Sequence, residues 1–292
     1  GLPSKAPSEN SADRQGRIGA MVDIVCADTV TALGPEHRGQ VLIGGSHGGR
    51  YAGYLAAKAG VRGVILHNAG IGKDDAGIDS LALLDGIGLA AATLDHCSAR
   101  IADGHDQLAR GVISHVNKTA AALGCAPGQS CRAAAELMTA AVQWTGAAPE
   151  FGEARFLLRA RERAGAPEVW GIDSTSLLAA SDKGAVMITA SHGARFGSMQ
   201  NKSIAGPPLA VIFNDAGGGA DDCGFSRLPA LAGEDVIAAT VAATSARIGD
   251  ARSAWESGII SHANAPAVAA GIAPGDDLPT FADKAIAAGR GS

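Results

Sequence analysis

The sequence predicts an α/β protein made by tandem duplication, with two mostly parallel, Rossmann-like sheets related by a pseudo-two-fold axis. The first observation is a repeat: QVLIGGSHGGR from Gln40 returns as AVMITASHGAR from Ala185, and GVISHVN from Gly111 returns as GIISHAN from Gly258. The second is an alternation of short Val- and Ile-rich runs with longer Ala-rich stretches, typical of strand-to-helix crossovers. The third is the continuous apolar character of VLIGG and VILHN, which indicates strands buried on both faces.

The two copies can be aligned residue by residue, with a two-residue insertion in the second. The matched pairs are Asp28 with Asp173, Ser46-His47 with Ser191-His192, Arg50 with Arg195, Asn68 with Asp215, Asp74-Asp75 with Asp221-Asp222, Arg100 with Arg247, Asp103 with Asp250, and Ser114-His115 with Ser261-His262. We therefore predict a first repeat over 17–124, connecting helices over 125–163, a second repeat over 164–271 and a C-terminal tail over 272–292. Equivalent loops of such a pair are expected to face one cleft.

Each repeat predicts the same order of elements. The expected strands are MVDIVCADT, QVLIGG, VRGVILHN, LAAATL and GVISHV, and the expected helices are TVTAL, YAGYLAAKAG, DSLALLDG, DGHDQLARG and NKTAAALG. The connecting segment, CRAAAELMTAAVQWTG followed by PEFGEARFLLRARERAGAP, favours two amphipathic helices. Ligands of parallel sheets bind beyond the carboxyl ends of the strands, where the repeated polar clusters lie.

Composition excludes several classes of function. The net charge of -5 gives no basic surface for a phosphate backbone, so we expect no nucleic acid partner. No apolar run reaches membrane-spanning length, and the N-terminal segment GLPSKAPSEN is polar, so we expect no membrane partner. Five cysteines without a CxxC pair suit a reducing compartment, which favours a cytoplasmic protein. A homo-oligomer remains open.

The turn Gly44-Gly45-Ser46-His47-Gly48 matches the G-x-S-x-G pattern, and it resembles the serine-nucleophile motif of α/β-hydrolases. The likeness is confined to this motif, and the second copy has Thr189 in place of the first glycine. The resemblance implies a nucleophilic Ser46 beside backbone N–H groups. The alternatives are that the same turn binds an oxyanion or carboxylate, or that Ser46 caps a helix.

The loop from Asn68 to Gly77 predicts a ligand contact. Gly70 permits close approach of the backbone, and Lys73 adds a cation for an anionic group. The loop is neither a Walker A sequence nor a GxGxxG dinucleotide motif. Asp74 and Asp75 are expected to cap the next helix, with metal ligation as the alternative.

Arg100 and Arg247 recur within the two SARI motifs. A pair of guanidinium groups related by the pseudo-two-fold axis would clamp two carboxylates or carbonyls of a substrate. Internal ion pairs with Asp103 and Asp250 are the equally weighted alternative.

Three histidines distinguish the first copy from the second. His67, His96 and His105 are replaced by Asn214, Ala243 and Arg252. Because folding residues would be kept in both copies, we hypothesise that the chemistry depends on His67 and His96. Cys97, next to His96, adds a candidate thiolate. A zinc site would need Asp28, His47, His67 and His96 from separate loops, so we predict no metal and no cofactor.

These observations favour a hydrolase acting on a small polar carbonyl compound, a dicarboxylate or a cyclic imide or amide, in a cleft between two lobes. An isomerase or lyase using Cys97 or a histidine, and a non-catalytic two-lobed binding protein, are the alternatives. The candidate catalytic residues are Ser46, His47, His67, His96, Cys97, Ser191 and His192. The candidate substrate-binding residues are Arg50, Asn68, Gly70, Lys73, Arg100, Arg195, Asp215 and Arg247.

Overall fold

A computed structural model describes residues 22–148, 150–196 and 207–289, and its first half forms a five-stranded sheet. The strands are β1 (Ile24–Ala27), β2 (Val41–His47), β3 (Gly63–His67), β4 (Ala90–Leu94) and β5 (Ile113–Val116), adjacent in chain order. The first four are parallel, and β5 is antiparallel to β4. The helices are α1 (Arg50–Ala59), α2 (Ser80–Gly86), α3 (Gly104–Arg110), α4 (Lys118–Ala121) and α5 (Cys131–Met138).

The second half repeats this sheet and adds one strand at its edge. Its strands are β6 (Arg155–Arg159), β7 (Val169–Ile172), β8 (Val186–His192), β9 (Ala210–Asn214), β10 (Ile237–Val241) and β11 (Ile260–Ala263). Its helices are α6 (Leu228–Ala232), α7 (Ala251–Ser257), α8 (Ala265–Ala269) and α9 (Leu278–Gly289). Strands β7 to β10 are parallel, while β6 and β11 are antiparallel to their neighbours. The predicted duplicated α/β fold is confirmed.

Burial on both faces explains the continuous apolar strands. In β2, Val41 and Ile43 pack into a core with α5, while the intervening Leu42 packs into a second core on the opposite face with α1. Successive side chains of a strand point to opposite faces, so a strand covered on both sides has no polar positions. The helices present mainly alanines, which bring them close to the sheet.

Two segments differ from the predicted elements. Residues 155–159 form strand β6 instead of a helix: Phe156 lies against Gly171 of β7, and the Arg155 guanidinium lies 4.9 Å from the Trp170 ring. These cross-strand contacts outweigh the helical pattern. The segment 272–292 contains α9, whose Phe281 is buried in the second core. No helix among the described residues is long and apolar enough to cross a membrane.

Reciprocal contacts define the pseudo-two-fold relation between the lobes. Lys73 N–H donates to Ala243 O at 2.9 Å, and the equivalent Ala220 N–H donates to His96 O at 2.8 Å. A contact from i to j that is matched by one from j to i is the signature of a two-fold interface. Gly70 and Gly217 meet at its centre.

The glycine-rich loops reach this interface through a left-handed turn. All four residues from Ala69 to Gly72 have positive φ, as do those from Ala216 to Gly219. Ile71, with φ of 64°, is the β-branched member of this set, and its equivalent is Gly218, with φ of 78°. A left-handed L-residue costs about 1–2 kcal/mol, so Ile71 is strained.

Replacing Ile71 with glycine is therefore expected to raise the free energy of unfolding by about 1 kcal/mol. The matched control is Gly218→Ala, where the new Cβ has room, since its nearest neighbour is Phe225 Cε1 at 3.9 Å. This control should lower stability by about the same amount. Urea denaturation measures both variants, and a clear loss of stability in Ile71→Gly would show that its packing outweighs the strain.

Candidate functional site

A cavity of about 340 Å³ is lined by both lobes. Equivalent positions supply much of its wall, in the pairs Thr29 and Ser174, Val30 and Thr175, Thr31 and Ser176, Ser46 and Ser191, His47 and His192, and Tyr51 and Phe196. The two Ser-His turns therefore meet at one cavity. Its volume is at the lower end of small-molecule sites.

The cavity contains two neutral imidazoles in equivalent positions. His47 Nδ1 accepts a hydrogen bond from Gly49 N–H at 3.1 Å, and His192 Nδ1 accepts one from Ala194 N–H at 3.3 Å. Burial lowers the pKa of His47 to about 4. It also lowers the pKa of His192 well below its usual range, with smaller contributions from the charges of Arg227 and His47. Because Nδ1 is the acceptor, each neutral ring carries its proton on Nε2, and neither Nε2 atom has a hydrogen-bond partner among the described residues.

The two serines are engaged with the backbone. Ser46 Oγ accepts a hydrogen bond from Val30 N–H at 3.0 Å, and Ser191 Oγ accepts one from Thr175 N–H at 2.9 Å. Among the described residues neither hydroxyl bonds to a histidine. Ser46 also lacks the positive φ of a strained nucleophile elbow. The serines hold the short turns 30–32 and 175–177 against β2 and β8, and this geometry gives Ser46 no activating base.

Two carboxylates, Glu153 and Asp173, complete the cavity wall. Glu153 accepts a hydrogen bond from Ser176 Oγ at 3.2 Å, and burial raises the pKa of its carboxyl group. Asp173 accepts backbone hydrogen bonds from Ala154 and Ala251. Within the described part of the chain, no lysine or arginine lines this cavity. Glu153 escaped the sequence comparison because it lies in the connecting segment, outside the repeat.

The predicted arginine clamp is instead used between the lobes. Arg100 Nε lies 2.9 Å from Asp221, and Arg247 Nη1 lies 2.8 Å from Asp74. The predicted internal ion pairs are also present, with Arg100 Nη1 3.7 Å from Asp103 and Arg247 Nη2 2.8 Å from Asp250. The side chains of these reciprocal ion pairs are about half exposed. The pairs therefore orient the two lobes relative to each other but contribute little to the free energy of unfolding.

Arg50 and Arg195 also lie outside the cavity wall. Arg50 Nε is 3.7 Å from Asp79, and its guanidinium lies 5.7 Å from the Phe151 ring. Arg195 lines a separate hollow with Arg100. The four candidate arginines thus do not converge on the two imidazoles.

The loop residues predicted to bind substrate organise the lobe interface. Asn68 Oδ1 accepts hydrogen bonds from the N–H groups of Gly70 and His96, and Asp215 Oδ1 accepts the equivalent two from Gly217 and Ala243. Lys73 Nζ donates to Ser257 Oγ of the other lobe at 2.7 Å. Asn68, Gly70, Lys73 and Asp215 are absent from the cavity wall.

The chain matches no protein-family model, no curated protein and no solved structure. Chemical assignments therefore rest on the side chains and their surroundings. The internal duplication supplies the comparison, because the repeated positions of one lobe have equivalents in the other.

His67 illustrates that comparison. It is fully buried; its Nδ1 accepts from Ala69 N–H at 3.1 Å, and its Nε2 donates to Ala99 O at 3.1 Å. Asn214 makes the equivalent pair of contacts, with Ala216 N–H at 2.9 Å and Ala246 O at 3.1 Å. Both side chains thus connect the same backbone groups, and the difference between the copies needs no catalytic explanation here.

His96 and Cys97 lie together at the lobe interface, and neither lines the cavity. Cys97 Sγ is 3.5 Å from His96 Nε2, and His96 Nδ1 is 3.2 Å from Asp95 Oδ1. Cys97 is exposed, and the His96 ring packs against Gly217 of the second lobe. The thiol of Cys97 beside the His96 imidazole is therefore a second candidate site, distinct from the cavity that contains His47 and His192.

Proposed function

We propose that the protein is a hydrolase that opens a small, neutral cyclic imide or amide in the cavity between its lobes. The observation that carries this proposal is the pair of neutral imidazoles, His47 and His192, at equivalent positions of one cavity wall. Two Nε2–H donors related by an approximate two-fold axis suit a ligand with two carbonyl oxygens. A cyclic imide has that symmetry.

The wall charges favour a neutral ligand over a dicarboxylate. Glu153 and Asp173 bring negative charge to the cavity, whereas Arg227, whose charge lowers the pKa of His192, is not among the described residues that line it. A dianion would lose its hydration without gaining an ion pair, which is costly. An imide N–H, in contrast, can donate to a carboxylate.

The proposed reaction is addition of water to one carbonyl. Glu153, whose pKa is raised by burial, accepts a proton from the attacking water. The Nε2–H of His47 or His192 stabilises the developing oxyanion. The carbon–nitrogen bond then breaks, and the ring nitrogen takes the proton from Glu153. The neutral state of both imidazoles at neutral pH suits them as donors rather than bases.

The test is ring opening of succinimide, hydantoin and dihydrouracil, followed by liquid chromatography and mass spectrometry, in wild type and in His47→Asp and His192→Asp. Aspartate keeps an acceptor for the N–H group two residues on, as Asp215 does for Gly217, but has no N–H donor in place of Nε2–H. Each variant should lower kcat/KM by roughly 10²–10³-fold, the usual loss for one oxyanion donor. His67→Asn, outside the cavity wall, is the matched control and should retain activity within about twofold.

Two results would overturn the proposal. Imide binding without turnover, detected as a raised melting temperature, would make this a binding protein. Stabilisation by succinate, with none by the imides, would return the site to dicarboxylates.

A further inference from the structure

The side chains of Asp95, His96 and Cys97 form a cluster that is separate from the proposed imide site. Its three side chains follow β4 in direct succession. The second lobe has Ala242, Ala243 and Thr244 at the equivalent positions, and that lobe folds in the same way. The fold therefore does not require the carboxylate, the imidazole or the thiol.

The two nitrogens of His96 face different groups. Nε2 lies 3.5 Å from Cys97 Sγ, and Nδ1 lies 3.2 Å from Asp95 Oδ1 at an angle that gives no hydrogen bond. A nucleophile, a base and a carboxylate in this order are the arrangement that activates a thiol. A ligand atom from each of the three side chains also lies within 4.8 Å of the other two, and the exposure of the sulfur favours attack on a substrate over enclosure of an ion.

Other contacts hold the cluster in place. Asp95 Oδ1 accepts a hydrogen bond from Cys97 N–H at 2.9 Å, and Ser98 Oγ donates to Asp95 O at 2.7 Å. The His96 carbonyl accepts from Ala220 N–H of the other lobe, and the His96 ring packs on Gly217. The imidazole is thereby fixed by lobe association, while Cys97 stays exposed.

We propose that Asp95, His96 and Cys97 form a nucleophilic thiol centre that accepts acyl groups from small esters or thioesters. Cys97 gives its proton to His96 Nε2, and its sulfur attacks the acyl carbonyl carbon. The bond from that carbon to the leaving oxygen or sulfur breaks, and the leaving group takes the proton from His96. The product is S-acyl-Cys97 plus a free alcohol or thiol, with no change in oxidation state. Asp95 is a positioning residue for His96.

The probe is 4-nitrophenyl acetate, with release of 4-nitrophenolate followed by absorbance and the acetylated residue located by peptide mass spectrometry. Wild type should give a stoichiometric burst with the acetyl group on Cys97. Cys97→Ser should abolish the burst, and His96→Gln should slow it by about 10²-fold or more. Asp95→Asn keeps an acceptor for Cys97 N–H but loses the charge, so it should slow the burst, and Asp95→Glu should restore part of the rate at an unchanged melting temperature.

The control is the triple variant Asp95→Ala, His96→Ala, Cys97→Thr, which gives the first lobe the residues of the second. It should fold normally and show no burst. Partly buried Cys26, whose pKa is raised by burial, serves as an internal reference thiol. Acetylation of Cys26 at the same rate as Cys97, or an unchanged rate in His96→Gln, would overturn the proposal. Imide turnover should be unaffected in Cys97→Ser, so the two proposals can fail independently.

Discussion

Lowering the pH from about 7.5 to about 5 is expected to weaken the fold by several kcal/mol, because the buried His67 and His192 and the partly buried His47 are neutral in the folded state. Burial lowers the pKa of His47 and His67 to about 4, and that of His192 well below its usual range. For His67, burial is the largest cause, and its bond to Ala99 O opposes the shift. Between these lowered values and the ordinary histidine pKa, the unfolded chain binds protons at the three imidazoles and the folded protein does not.

The sign and the window follow from these values. Above the ordinary histidine value of about 6.5 both states are neutral, and no cost arises. Below it the unfolded chain binds protons, so stability falls progressively until the folded pKa of about 4 is passed. For fully buried His67 this amounts to about 2 kcal/mol at pH 5. Carboxyl groups with lowered pKa, such as Asp182 and Asp250, lose their contribution only at lower pH.

A reciprocal exchange isolates His67 from the other titrating groups. His67→Asn reproduces the second lobe and should make the fold less acid-sensitive by about 2 kcal/mol at pH 5, with little change at neutral pH. Asn214→His should add a similar sensitivity. Urea denaturation of both variants at several pH values measures the effect, and the Glu153 contribution, which runs in the opposite direction, cancels in the differences. Parallel pH profiles for wild type and His67→Asn would refute this assignment.

His67 and Asn214 also indicate where sequence reasoning fails. An imidazole and a carboxamide each present an acceptor to one backbone N–H and a donor to one carbonyl, so two unlike residue types perform one structural task. From the sequence, this difference favoured a catalytic role for His67. Only the positions of Ala69 and Ala99 reveal the equivalence.

The fold was predictable because strands that are buried on both faces consist of apolar residues throughout. Fully covered strands such as β3 and β9 have no polar alternation, and the repeat itself fixed the two-lobed architecture. The meeting of Ser46 and Ser191 at one cavity also followed from the duplication. Strand β6 and Glu153 did not, because they lie outside the repeat and depend on tertiary contacts.

The centre of the lobe interface tolerates no side chain at Gly70 or Gly217. A Cβ on Gly70 would lie 2.9 Å from Gly217 Cα, and one on Gly217 would lie 2.8 Å from Gly70 Cα. Such distances are closer than atoms of packed side chains approach. The lobes would have to separate locally, which would strain the reciprocal contacts from Ala220 to His96 and from Lys73 to Ala243.

Gly70→Ala and Gly217→Ala are therefore each expected to lower the free energy of unfolding by about 2–5 kcal/mol, combining left-handed strain with overpacking. Gly88→Ala is the matched control: Gly88 has a φ of 71°, close to the 74° of Gly70, but a Cβ there meets no atom within 4 Å. This control should cost only the conformational part, about 1–2 kcal/mol. Urea denaturation compares the three variants.

The double variant Gly70→Ala, Gly217→Ala distinguishes a shared collision from two separate ones. If both methyl groups meet at the same point, the first substitution already displaces the lobes and the second adds less than its own cost, giving a coupling of about 0.5–3 kcal/mol. Strictly additive losses, or a cost for Gly70→Ala no larger than that for Gly88→Ala, would mean that the lobes do not meet through these two glycines. Because Gly217 also packs on His96, the same substitutions are expected to slow acetylation of Cys97 without touching His47 or His192.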